Sequence, residues 1–135
     1  MRLLAAAAAL GLALGTQVVL AQDASAPDSL KILFATGQSS ISEDQRSVLD
    51  QAARLVRDGS PLVMIVAGSA DTVGSGEANL NLSLQRAQVV AFALADRGIP
   101  IERLQVLGLG VSQLEVPTSQ GVPNAENRYV SITWR

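Results

Sequence analysis

Two ionisable side chains stand where charge could hold a small ligand. Asp71 lies in a Gly-bearing polar loop, directly after the apolar run Leu62 to Ala67 and Gly68, and Arg86 follows fifteen residues later in a helical pattern. A carboxylate can take an ammonium, and a guanidinium can fork onto a carboxylate. Together they would make a receptor for a zwitterion, such as an amino-acid α-centre with free amine and free carboxylate. Asn79, Leu82, Ser83 and Arg86 recur at helical steps and share one face, while Ala87 and Val90 beside them face a sheet. Arg86 is therefore predicted to emerge at the sheet edge, near the Asp71 loop. Two plainer readings stand beside this one. Asp71 could hydrogen-bond loop amides as local punctuation, or Asp71 and Arg86 could pair with each other and bind nothing.

Composition narrows the chemistry further. The 135 residues include no His and no Cys, which removes the Ser–His and Cys–His pairs and the softer metal ligands. A glycoside-cleaving enzyme would need Asp71 with Glu77 or Glu115 as acid and base, yet no clear second carboxylate faces Asp71 across a cleft. No serine sits beside an evident base. Gly68, Gly74 and Gly76 read as turn formers and amide donors, because their spacing is wrong for a dinucleotide loop. No enzyme, cofactor or metal is expected. Ten basic residues against twelve acidic ones, with no basic cluster, make a poor nucleic-acid binder.

The elements that would position these residues follow a short leader. Arg2 precedes an uncharged run from Leu3 to Gln22, and Val19-Leu20-Ala21 offers a peptidase site. Residues 1–21 are therefore predicted to be a secretory signal peptide. An uncleaved anchor is the alternative, although Thr16-Gln17 interrupts the run. Export without cysteine leaves neither disulfides nor lipidation of an N-terminal Cys. Residues 22–29 (QDASAPDS) form a short flexible leader, and residues 30–135 form one domain.

Within that domain Leu30 to Phe34 is a strand candidate. Ser42-Glu43-Asp44-Gln45 fits a capping box, and Val48, Leu49, Ala52, Leu55 and Val56 give the following helix an apolar stripe. Leu62 to Ala67 lacks a polar face and reads as a central strand covered on both sides. Asn79 to Ala95 is the second helix, with Ala87, Val90, Ala91 and Leu94 buried, ended by Gly98. Ile101 to Leu107 feeds a third strand. Residues 111–127 read as a polar surface excursion, and Arg128 to Arg135 alternates as a closing strand. The order β-α-β-α-β-loop-β implies an α/β two-layer sandwich, two helices over a mixed four-stranded sheet.

Asp71 with its Gly-bearing loop, then Asn79, Leu82, Ser83, Arg86, Ala87 and Val90, resembles the C-terminal domain of the OmpA family. Leu94, Gly98-Ile99, Arg103-Leu104, Gly108 with Gly110, and Asn127-Arg128 before a Val130-Ile132 strand extend the match over Leu30 to Arg135. The resemblance implies a non-catalytic domain that binds peptidoglycan through the free end of diaminopimelate in the stem peptide. It assigns Asp71 to the ammonium and Arg86 to the carboxylate, helped by loop amides such as Gly74 and by Asn79, Ser83, Arg128 and Tyr129. It also implies a periplasmic, cell-wall-associated protein, or one peripheral to the outer membrane, acting as monomer or weak dimer. Three residues depart from the family pattern. Ser69-Ala70 stands where His-Thr is common, and Tyr129 takes the place of a second arginine. A degenerate domain that binds an envelope protein, through Tyr129 and the 111–127 loop, is the alternative reading.

Overall fold

A computed structural model describes residues 28–61 and 63–135. The predicted signal peptide and most of the leader lie outside the described residues, as does Leu62. The chain forms β1 (Ser29–Leu33), α1 (Arg46–Gly59), β2 (Met64–Gly68), α2 (Gly76–Asp96), β3 (Leu104–Gly108) and β4 (Tyr129–Trp134), with short 3-10 turns before α1, β3 and β4. The sheet order is β1-β4-β2-β3. β2 and β3 run parallel, and β4 is antiparallel to both β1 and β2. The mixed four-stranded sheet with two helices is the predicted architecture.

Strand alternation explains where the core lies. Met64, Val66, Val130 and Ile132 share one face and are buried with Ile32, Leu49, Val90 and Leu94 beneath the helices. The opposite face carries Lys31, Leu33, Ile65, Leu107, Ser131 and Thr133. Leu33 and Leu107 are exposed there, and Ile65 is only half-buried. The expectation that β2 is covered on both sides therefore fails. Its apolar run reflects a place between two neighbouring strands, with helices over one face only.

Helix starts also differ from the sequence pattern. The capping box at Ser42 does not form: the Ser42 hydroxyl donates to Asp44 and holds that carboxyl below its usual range, with Gln45 adding to the effect. The Gln45 side-chain oxygen accepts instead from the Leu33 amide at 2.9 Å, tying the start of α1 to β1. α2 begins earlier than predicted, because the Ser75 hydroxyl accepts from the Ala78 amide at 3.1 Å and Glu77 lies in the first turn, where the helix end is positive.

Two glycines set the height of α2 over the sheet. Gly68 and Gly108 are register partners on β2 and β3. A Cβ on Gly68 would overlap the Ser83 carbonyl oxygen, and one on Gly108 would lie 2.8 Å from the Leu84 Cβ. With hydrogen in both places, the Ser83–Leu84 turn descends onto the strand ends. One turn further along α2, that descent brings Arg86 down to the end of β2.

Candidate functional site

The end of β2 leads straight into the charged loop, and the chain holds this loop by backbone bonds on both sides. The Ser69 amide donates to the Tyr129 carbonyl at 2.8 Å, and the Ala70 amide donates to the Gly110 carbonyl at 2.9 Å. Asp71 follows, 5% exposed. Its Oδ2 accepts from Arg128 Nη1 at 3.0 Å and, weakly, from the Asn124 amide at 3.4 Å. Its Oδ1 accepts from no described residue. Among the described residues the only sealed side-chain polar atom without a partner is the Ser69 hydroxyl, so Oδ1 is open. Asp71 is thus paired, but with Arg128 rather than Arg86.

Arg86 does not emerge at the sheet edge. It is fully buried, and each of its three nitrogens donates to a backbone carbonyl: Nε to Gln38 at 2.8 Å, Nη1 to Ser69 at 3.1 Å and Nη2 to Ala35 at 3.2 Å. The Phe34 ring lies 5.4 Å from its guanidinium carbon. Burial lowers the Arg86 pKa to about 10; Asp71 opposes the shift and Arg128 adds to it. Three charged groups are therefore gathered at the end of β2, two positive and one negative, and they sum to one uncompensated cation in a poorly solvated place.

The other predicted site residues divide by their bonding. Asn79 lies on the stripe of Arg86, about two turns nearer the helix start. It is 4% exposed, yet its side-chain amide bonds to no described residue. Gly74 has φ of 90°, which favours glycine, and its carbonyl accepts from the Gln120 side chain at 2.9 Å. Ser83 is committed elsewhere: its hydroxyl donates to the Leu80 carbonyl and accepts from the Gly110 amide, both at 2.8 Å. That fastens the β3 exit to α2. Tyr129 is buried on the face away from the helices. Its hydroxyl donates to the Gln113 carbonyl at 2.8 Å, and Lys31 Nζ lies 4.9 Å from its ring centroid. Neither Ser83 nor Tyr129 joins Asp71 in an open receptor.

Thr72 and the 116–122 segment, which the sequence pattern did not single out, build the wall of the site together with Asn127 and Arg128, which it did. Thr72 Oγ1 lies 2.7 Å from the Ser119 carbonyl, 3.0 Å from the Thr118 hydroxyl and 3.2 Å from the Val122 carbonyl. The Gly121 amide returns a bond to the Thr72 carbonyl at 2.8 Å. Asn127, fully buried, grips Val116 through both its amide and its carbonyl, each at 2.8 Å. The 111–127 excursion is on the surface as predicted, but it is stitched to the Asp71 loop. Arg128 enters from β4, with Nε on the Phe34 carbonyl at 3.0 Å. The only local signal for this wall is the density of Thr, Ser, Asn and Gly in 118–127.

The family model described as "OmpA family" matches residues 33–128. The outer-membrane lipoprotein YfiB of Pseudomonas aeruginosa is 30% identical over 104 residues, covering 77% of this chain and 62% of its own length. The chain spans 47% of another curated relative, so it matches a part of these proteins. The crystal structure of the peptidoglycan-associated lipoprotein from Burkholderia pseudomallei superposes with a TM-score of 0.71 at 22% identity, covering 78% of this chain and 89% of that one. The cell wall anchor of the T6SS from Pseudomonas aeruginosa superposes with a TM-score of 0.64 at 26% identity, covering 78% and 79%.

Proposed function

The chain belongs to the OmpA family, and on that premise we propose that it is a periplasmic, non-covalent peptidoglycan binder that holds the free end of diaminopimelate. Family domains of this kind, in peptidoglycan-associated lipoprotein and outer membrane protein A, are non-catalytic. Asp71 receives the ammonium, and the site's two guanidiniums, Arg86 and Arg128, supply the positive charge for the carboxylate. The Asn79 amide and the backbone of the Gly74 loop add hydrogen bonds around them.

One observation carries the reading: Asp71 is almost buried, yet one of its two oxygens is open and unpartnered beside a net positive charge. A carboxylate used only to hold its own loop would spend both oxygens. Co-sedimentation of the purified protein with diaminopimelate-type sacculi tests it. Wild type pellets with the wall, and Asp71→Asn falls at least about tenfold in bound fraction through loss of a charge-assisted bond. Equal pelleting of the two proteins would remove Asp71 from the site.

The alternative of a protein-binding module through Tyr129 and the 111–127 loop loses support, because Tyr129 is buried and its loop is tied down. An envelope partner would find a better surface on the flank of α2 beside β3, where Leu84, Phe92 and the neighbouring Ile101 are exposed.

A further inference from the structure

We propose that the cleft between α1 and the end of α2 is a phosphate-binding site, formed by Arg54, Arg57 and Arg97 around Asp50. It does not depend on the diaminopimelate reading, since Arg97 lies about 16 Å beyond Arg86 along the helical rise of α2.

α1 supplies the first half of the cleft. Asp50, Arg54 and Arg57 recur at helical steps and share one face of α1, with the buried Ala53 among them. Arg97, which closes α2, meets that face from the other side. Its Nε donates to Asp50 Oδ1 at 2.8 Å and its Nη1 donates to the Ala93 carbonyl at 3.0 Å. Those two bonds fix the plane of the guanidinium and leave Nη2 without a partner among the described residues. The five side chains line a cleft of about 330 Å³. No basic run marks it in the sequence, because its arginines come from two helices.

Charge then selects the ligand. The Arg97 hydrogen bond holds the Asp50 carboxyl below its usual range, opposed by desolvation and aided by the charges of Arg97 and Arg54. Three guanidiniums less this one carboxylate leave two positive charges in the cleft. The acids next to two of these arginines in sequence, Asp58 and Asp96, line other clefts. Arg54 and Arg57 are exposed and have no ion-pair partner among the described residues. The negative end of a helix attracts a cation, which accounts for Arg57 and Arg97 one at a time. It does not account for three like charges gathered in one hollow, where they repel.

The shape of the donor set points the same way. A carboxylate offers two oxygens and one charge, and a single arginine fork saturates it. A phosphate monoester brings about −1.5 to −2 charges and three free oxygens. That matches two net positive charges and three guanidiniums, which recognise phosphate by their fixed planar fork.

Arginine side-chain nitrogen resonances, followed as inorganic phosphate is added at neutral pH and constant ionic strength, test the site. Signals of Arg54, Arg57 and Arg97 should shift together and saturate, while the exposed Arg103 stays still. Acetate should act at least about tenfold more weakly. The double variant Arg54→Gln, Arg57→Gln alters two exposed side chains and keeps the fold; it should lose at least about tenfold in phosphate affinity. Vesicles of phosphatidylcholine, with and without phosphatidic acid, identify the source of the phosphate. Pelleting that requires phosphatidic acid and both arginines assigns a lipid headgroup. Saturable binding of inorganic phosphate without pelleting assigns a soluble phosphate compound. Shifts that follow acetate as closely as phosphate, or an affinity unchanged in the double variant, would reduce the effect to screening of surface charge and overturn the site.

Discussion

Arg86 combines full charge with full burial, and its three carbonyl partners are what make that combination tolerable. Arg86→Met leaves the carbonyls of Ala35, Gln38 and Ser69 without their donor and should cost about 3–5 kcal/mol. A thermal melt would show a fall on the order of 10 °C or more. The pH dependence has a definite sign. The folded chain releases the Arg86 proton at about 10, and the unfolded chain releases it at a distinctly higher pH. Between those values the unfolded state binds more protons, so the contribution of Arg86 to stability rises with pH only in that window. The gap in melting temperature between wild type and Arg86→Met should stay flat from about pH 6 to 9 and widen above about pH 10. That Asp71 and Arg86 gather at the end of β2 was legible from their spacing. Their pairing was not, because the partner of Asp71 arrives from β4, fifty-seven residues along the chain.

At the scale of elements, the wall of the site is a loop held by side chains rather than by ladder bonds. Thr72 is its main stitch. Thr72→Val removes a hydroxyl that reaches Thr118, Ser119 and Val122, at a cost of about 1–2 kcal/mol. Limited proteolysis should then cut within residues 117–123 several times faster than in wild type, while the circular dichroism spectrum is unchanged. Such contacts link residues about fifty apart, and polar composition alone does not say which pairs will meet. Periodicity did reveal the strands and helices, since the buried rows of α1 and α2 follow the 3.6-residue repeat. Helix starts were harder to read. Ser42 has the sequence of a cap, but β1 takes its Gln45, while Ser75 was hidden among glycines and is a true cap.

Taken whole, the molecule carries net negative charge, and the wall proposed as its ligand is itself rich in carboxylates. General attraction therefore contributes little, and binding must come from a few poorly solvated contacts that salt screens weakly. The bound fraction on sacculi should change less than about twofold between roughly 0.05 and 0.5 M NaCl. A steep fall would point instead to a diffuse surface contact. The sheet order has a temporal consequence as well. β4 follows every other element in the chain, yet it lies between β1 and β2, and it closes Ser29 onto Thr133. Until that strand is available, β1 has no neighbour to pair with and Asp71 lacks its ion-pair partner, Arg128. Such distant pairing slows folding, so a chain whose last strand is not yet available remains open at β1 and at the Asp71 loop.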